Sequence, residues 1–281
     1  VFCTSDKAFL RDAWLILLCR AFKLQVVAHL HSKTHSEYFV KKSRIFFLAK
    51  TMNQCRKVAV LSPKHLDFFE AYITKDRMFI FENFVFTSDF DCIKEKKSKT
   101  DFLYVGRLTI QKGFKDLLLA VKIIAGTHPT SSIIIHCLGA AEDEDRQIEI
   151  NKQASKFSSL QLHGSTVDET KIAFFKRCSA LIFPSHLENS PVVLKEAMAA
   201  KMYIVASNLA ENMEVLKDYP AKSFFNVGDH EMLAREILSA AIHPSKLNDM
   251  LRLAQNGIVI DNNHALNSLI KNQIISDESS R

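Results

Sequence analysis

At 281 residues, 47% of them apolar and 24% charged, the chain has the composition of a soluble globular protein of about two domains, either half able to bury a core. The six scattered cysteines form no Cys-x-x-Cys and no paired pattern; they read as reduced thiols in a reducing compartment, and neither a disulfide framework nor a metal site is expected. The net charge of +6 suits anionic substrates or an acidic membrane surface, although a lysine-rich solvated face is the commoner source of such an excess.

The chain opens on Val1, already inside an apolar segment, and Val1-Phe2-Cys3 reads as a strand. Leu10 to Lys23 reads as a helix; its apolar run around Leu15 to Leu18, flanked by Arg11, Asp12 and Arg20, is too short to span a bilayer and is preceded by no signal peptide. Leu24 to Leu30 is an apolar run leading into His29-Leu30-His31. His35 to Gln54 is a long basic amphipathic helix candidate, Lys57 to Leu61 a short strand, and Pro63 suits the first turn of a further helix. Met78 to Phe81 is the next strand, after which periodicity fades and charge accumulates in Lys-Glu-Lys-Lys-Ser-Lys before Thr100. All seven glycines lie at or beyond Gly106, so the first third lacks the tight turns that usually open an α/β domain.

Strand–helix alternation then restarts. Asp101 to Val105 is a strand running into Gly106-Arg107-Leu108, and from Phe114 the apolar residues Phe114, Leu117, Leu118, Val121, Ile124 and Ala125 mark a core-facing helix. Ile133 to Leu138 is a strand closed by Gly139, and the acidic segment Glu142 to Glu149 suits a helix start. Leu160 to Leu162, Ala180 to Phe183, Tyr203 to Ala206 and Phe224 to Val227 continue the strands; Val192 to Met198 and Glu231 to Ala241 read as helices. The expected division is a partial N-terminal Rossmann-like domain over 1–90, a linker over 91–100, a second domain over 101–260 and a helical tail over 261–281.

Two places carry chemistry. Arg107 and Lys112 flank one strand-to-helix loop beside Gly106 and Gly113, where a planar fork and a point charge near a positive helix end could cradle a diphosphate. Two cations near a turn are, by themselves, more often surface decoration. Glu188 and Glu196 sit eight positions apart across a strand–turn–helix junction. As a hydrolytic pair they should lie about 5 to 9 Å apart, whereas eight helical positions rise by roughly 12 Å. They suit two contacts along one elongated ligand instead.

Five motifs in order make the pattern specific: VGRLTIQKGFKDLLLA, LGAAEDED, HGSTVDETKIAFFKRCSALIFPS, LENSPVVLKEAMA and IVAS. Over about Asp101 to Ala240 they resemble the C-terminal donor-binding domain of the group-1 (family 4) retaining glycosyltransferases of the GT-B fold. Two further segments, VVAHLHS and FIFENFV, resemble the histidine strand and the interdomain segment of that family. The resemblance implies an α/β fold of two Rossmann-like domains with parallel sheets, the N-terminal one incomplete. It implies that Arg107, Lys112 and Gly106 bind the diphosphate of a nucleotide sugar, a UDP- or GDP-sugar, and that Glu196 holds the ribose hydroxyls. Glu188 would sit near the transferred sugar, the backbone at Asn189 and Ser190 would touch sugar and phosphate, and His31 would lie across the cleft. Retention is commonly explained by attack on the face the leaving phosphate departs from. No metal would be needed, because cations and helix termini stabilise the leaving diphosphate.

The implied activity is transfer of a sugar from a nucleotide donor to a glycan or lipid-linked acceptor in surface polysaccharide assembly, in the cytoplasm or at the cytoplasmic face of a membrane, with no nucleic-acid partner. The departures lie in turns. Asn83-Phe84 stands for Asn-Gly, Lys201 for the glycine of Ala-x-Gly-x-Pro, and Ala210-Glu211 for Gly-Gly. The glycine-rich loop after the family's first strand is absent. These losses leave a second expectation, a non-catalytic chain that binds only a nucleotide sugar or a protein partner; Glu-x7-Glu with Glu-Ala-Met-Ala points away from epimerases of the same fold.

Overall fold

The computed structural model describes residues 2–3, 7–30, 42–90, 97–128, 132–242 and 244–256. The described residues fall into two compact units, divided between Asn83 and Phe84.

The first unit alternates β1 (Phe2–Cys3), α1 (Lys7–Ala21), β2 (Val27–Leu30), α2 (Lys42–Met52), β3 (Lys57–Val60), α3 (Pro63–Phe69) and β4 (Met78–Ile80). Its strands are all parallel in the order β1-β2-β3-β4, with Phe2 opposite His29, Ala28 opposite Val58 and Val58 opposite Met78. Helix α1 buries Phe9, Ala13 and Ile16 against this sheet, one turn apart. Its other face is apolar as well: Trp14, at 74% exposure, lies out with Leu10, Leu17, Leu18 and Phe22. Helix α3 starts as its sequence dictates, with Pro63 in the first turn and Ser62 Oγ accepting from the His65 N–H at 3.3 Å.

No glycine closes α1. Lys23 takes φ 57°, its N–H donating to Arg20 O and that of Leu24 to Cys19 O, both at 2.9 Å. This is the paired hydrogen bonding of a Schellman motif, and it holds a lysine in the left-handed region where glycine is the usual choice.

The second unit contains β5 (Ser98–Val105), α4 (Phe114–Thr127), β6 (Ile134–Leu138), α5 (Glu144–Ala154), β7 (Leu160–Leu162), α6 (Asp168–Arg177), β8 (Cys178–Phe183), α7 (Val192–Ala199), β9 (Tyr203–Ser207), α8 (Ala210–Val215), β10 (Lys222–Phe225), α9 (His230–Ile242) and α10 (Pro244–Asn256). All six strands are parallel, in the order β10-β9-β8-β5-β6-β7. Strand order therefore reverses between β5 and β8, and the crevice beyond their carboxyl ends is where open α/β sheets bind ligands. Strand β8 is buried along its whole length, as befits a central parallel strand. The α4 stripe of Phe114, Leu117, Val121 and Ile124 is buried as its spacing predicts.

The structure departs from the expected linker. Residues 98–100 already run as strand β5, and Lys97 explains the early start. Its ammonium donates to the carbonyls of Phe175 at 2.6 Å and Cys178 at 2.9 Å, closing the end of α6. Burial lowers the Lys97 pKa to about 8. One lysine of a charged run that reads as solvated is thus a helix cap. Helices α6, α8 and α10 have no counterpart among the elements the sequence predicts, and the expected tail over 261–281 lies outside the described residues.

Candidate active site

The loop from Gly106 to Gly113 leaves the carboxyl end of β5 and is held from below. Tyr104, buried in β5, points its hydroxyl at the carbonyls of Arg107 (2.8 Å) and Lys112 (3.2 Å), so one O–H ties both ends of the loop. Burial pushes the phenol pKa well above its usual value, which keeps it a donor. The Lys112 N–H donates to Thr109 Oγ1 at 3.3 Å, and the Leu108 N–H to Ala140 O at 2.9 Å. Gly113 then opens α4 with φ 69°.

The second loop, from Pro184 to Pro191, leaves β8 and packs against the first. The His186 N–H donates to Gln111 O at 2.8 Å, and Ser185 Oγ to the same oxygen at 3.2 Å. A Cβ on Gly113 would stand 1.8 Å from Pro184 O, so this approach admits glycine alone. The His186 imidazole pairs with Asp116 in the first turn of α4. Beneath, Ser207 Oγ donates to Ser185 O at 2.6 Å, and Asn212 Nδ2 donates to Ser207 O at 3.0 Å. The loop is therefore braced from α4, β9 and α8 together.

These braces bring the expected cation and carboxylate into contact. Lys112 Nζ lies 2.6 Å from Glu188 Oε1, with side-chain exposures of 29% and 8%. Glu196, on the second turn of α7, makes a separate contact: its Oε1 accepts from Lys171 Nζ at 2.6 Å. Glu196 Oε2 is buried and accepts no hydrogen bond. The two glutamates thus engage two different lysines. Arg107 is 68% exposed and lies 3.9 Å from Glu142, a pairing weak enough to leave its guanidinium available. Asn189 and Ser190 lie in the turn before α7, whose cap residue Pro191 supplies no side-chain acceptor.

His31 lies outside the described residues. Its neighbour His29, buried in β2 of the first unit, has Nε2 3.1 Å from Phe81 O. No group of three or more His, Cys, Asp or Glu residues able to hold a metal occurs among the described residues, and Cys19, Cys55, Cys137 and Cys178 are free thiols. Sequence reading missed Lys171 and Tyr104. Tyr104 carries a signal, a hydroxyl within the apolar run Phe102 to Val105, since a buried tyrosine needs a partner. Lys171 carried none beyond its place in the first turn of a helix that had not been recognised.

A second polar cluster lies beside β5. His136 Nδ1 is 3.0 Å from His163 Nε2, and its Nε2 is 3.4 Å from Asp101 Oδ2, near enough for attraction but outside hydrogen-bond geometry. Arg177 pairs with Asp101 at 2.6 Å. Asp101 and His136 are buried, and Asp101 lies toward the amino end of β5, away from the carboxyl ends that line the crevice, so this cluster belongs to the packing. Burial lowers the pKa of both histidines.

With this geometry established, the chain compares clearly with known proteins. Residues 86–258 match the family model described as glycosyl transferases group 1. Glycogen synthase of Mycobacterium tuberculosis is 28% identical over 116 residues, covering 41% of this chain and 28% of that protein. The capsular polysaccharide biosynthesis glycosyltransferase CapH of Staphylococcus aureus is 26% identical over 130 residues, covering 46% and 36%. The match thus takes in about a third of the length of these curated relatives. Among solved structures, Anabaena HepE in complex with UDP and glucose aligns with a TM-score of 0.74 at 18% identity, over 100% of this chain and 77% of that one. Sucrose-phosphate synthase from Thermosynechococcus elongatus aligns with a TM-score of 0.68 at 15% identity, over 95% and 72%. These likenesses establish the α/β, GT-B type of fold with parallel sheets. The family model covers well over half of the sequence, and the chain belongs to the group 1 glycosyl transferases.

Proposed function

We propose that residues 84–262 bind a nucleotide-sugar donor, and that the protein transfers its sugar to a glycan or lipid-linked acceptor with retention of configuration. The observation that carries this reading is the meeting of the β5 and β8 loops at the reversal of strand order, with Lys112 and Glu188 in contact there. The diphosphate of a UDP- or GDP-sugar would lie against Arg107, Lys112, Gly106 and the start of α7, whose first N–H groups find no side-chain cap at Pro191. Lys112 would then exchange Glu188 for phosphate oxygens, releasing Glu188 toward the sugar. Asn189 and Ser190 would supply backbone donors, and Glu196 would take the ribose hydroxyls. Cations placed where charge develops on the leaving diphosphate would lower the barrier without a metal.

A role in surface polysaccharide assembly is supported by the likeness to the capsular polysaccharide glycosyltransferase CapH, and binding of UDP-sugars by the likeness to Anabaena HepE, solved with UDP and glucose and with UDP-glucose. Among the described residues no helix is long and apolar enough to cross a membrane. Peripheral contact with an acidic membrane surface, with the protein on the cytoplasmic side, is supported by α1. Trp14 and Leu18 on it, and Phe22 just past its end, are exposed and accompanied by Arg11, Arg20 and Lys23, and its one acid, Asp12, is buried against Arg11.

Calorimetric titration with UDP, GDP, ADP and their glucose or mannose conjugates tests the donor site. One of these should bind, and Lys112→Ala should weaken it at least tenfold. Absence of binding by the wild type, or unchanged binding by Lys112→Ala, would refute the reading.

A further inference from the structure

The second lysine of the crevice, Lys171, has no part in the reading above. It lies in the first turn of α6, and its ammonium reaches across to α7 to meet Glu196 at 2.6 Å. The pair is well shielded, with side-chain exposures of 24% for the lysine and 10% for the glutamate. A shielded carboxylate is costly to bury unless something charged or strongly donating accompanies it. Lys171 is the one such group described against Glu196, and it occupies only Oε1. Oε2 is buried and accepts nothing from the protein. Native structures rarely leave such an acceptor unmatched, and the usual partner is a water or a ligand donor. Asp168, 3.8 Å from the same ammonium and largely exposed, holds Lys171 only loosely from its other side.

We infer that Lys171 is a positioning residue for nucleoside recognition: it holds Glu196 by one oxygen, Oε1, and so turns the second, Oε2, to accept a ribose hydroxyl. This rests on the reading of the crevice as a nucleotide-sugar site and deepens it by assigning a residue to the nucleoside end. The diphosphate end is served by Arg107 and Lys112, on a different loop, so the two halves of the ligand answer to different lysines. Replacing Lys171 by methionine keeps the length and the apolar stem but removes the charge. Glu196 would then be a buried carboxylate without the partner that orients it, and its second oxygen would no longer be held for the ribose. Arginine restores the charge and can still donate to Oε1.

The test is calorimetric titration of the full chain with the nucleoside diphosphate that the wild type binds most tightly, with its 2′,3′-dideoxy analogue, and with inorganic pyrophosphate. Lys171→Met should weaken the nucleoside diphosphate about tenfold while leaving pyrophosphate within twofold, which also shows that the variant is folded. It should abolish the preference for ribose over dideoxyribose, and Lys171→Arg should restore most of both. An equal loss for nucleoside diphosphate and pyrophosphate would make Lys171 a general electrostatic or structural residue and overturn the inference. Unchanged binding would do the same, and so would tighter binding, which would mean that the ammonium competes with the hydroxyls. Failure of the wild type to bind any nucleoside diphosphate would instead sink the reading of the crevice itself.

Discussion

Gly113 and Lys201 hold nearly the same backbone conformation, φ 69° and φ 55°, in the same unit, yet only the first has to be glycine. At Gly113 the left-handed turn opens α4 directly under Pro184, and an added Cβ would fall 1.8 Å from the Pro184 carbonyl oxygen. At Lys201 the turn closes α7, with the Met202 N–H reaching Ala197 O and the Lys201 N–H reaching Met198 O, each at 3.0 Å. These two bonds complete a Schellman motif, and they hold a lysine where the family pattern expects glycine. The left-handed turn therefore forms here without glycine. One junction needs glycine for space, the other only for conformational ease. The junctions that need space are those that bring the crevice loops together: a Cβ on Gly139 would stand 2.0 Å from Gly106 O, at the root of the cation-bearing loop.

Substitutions at the spatial junctions should have the largest effects. Gly113→Ala combines the left-handed cost of about 1–2 kcal/mol with forced displacement of backbone, and overpacking of that kind adds about 1–3 kcal/mol. Urea denaturation should therefore show a loss of about 3 kcal/mol or more, together with a loss of nucleotide binding, since the β5 and β8 loops must separate. Gly139→Ala should destabilise comparably, because the obstacle is again a carbonyl rather than a side chain that can swing away. A loss below about 1 kcal/mol at either site would show that the loops yield easily and that the distinction between the two kinds of junction is empty.

Glycine position, legible from the first residue to the last, is thus a poor guide to the turns of the first unit. The absence of glycine before Gly106 suggested a domain without tight turns, yet α1 ends in the same hydrogen-bond pattern as α7, with Lys23 in the glycine's place. Sequence spacing recovers what depends on local pattern, such as the buried face of α4 and the apolar run Ala180 to Phe183 of β8. It also places Arg107, Lys112, Glu188 and Glu196 near strand ends, because a parallel sheet delivers those ends to one side. What it does not deliver is pairing across 76 and 25 positions, the separations of Lys112 from Glu188 and of Lys171 from Glu196. Those contacts depend on strand order, which hydrophobic pattern leaves open. Lys97 shows the same limit in reverse, since its role as a cap depends on α6, an element more than seventy positions away.

An intermediate case separates strain from crowding. Gly164 has φ 69° like Gly113, but nothing lies within 4 Å of where its Cβ would stand. Gly164→Ala should therefore cost only the backbone term, about 1–2 kcal/mol in the same urea assay, and should leave nucleotide affinity unchanged. A loss matching that of Gly113→Ala would mean that the conformation, and not the Pro184 carbonyl, dominates at both positions.

The smallest effect has the opposite sign. Lys201→Gly removes the side-chain clash of the left-handed region but enlarges the freedom of the unfolded chain, so the two terms nearly cancel. A net gain of about 0.5 kcal/mol is expected, seen as a small upward shift of the urea midpoint with no change in slope. Lys23→Gly should gain less than that. A lysine just past a helix end interacts favourably with the negative end of the dipole, by about 0.3 kcal/mol, and α1 at 15 residues presents a longer helix than α7 at 8. Because Lys201 lies in the unit that holds the crevice, the gain there should come with undiminished nucleotide binding. A Lys201→Gly chain that is stabilised but binds worse would show that the lysine at this turn serves the ligand and not merely the helix end.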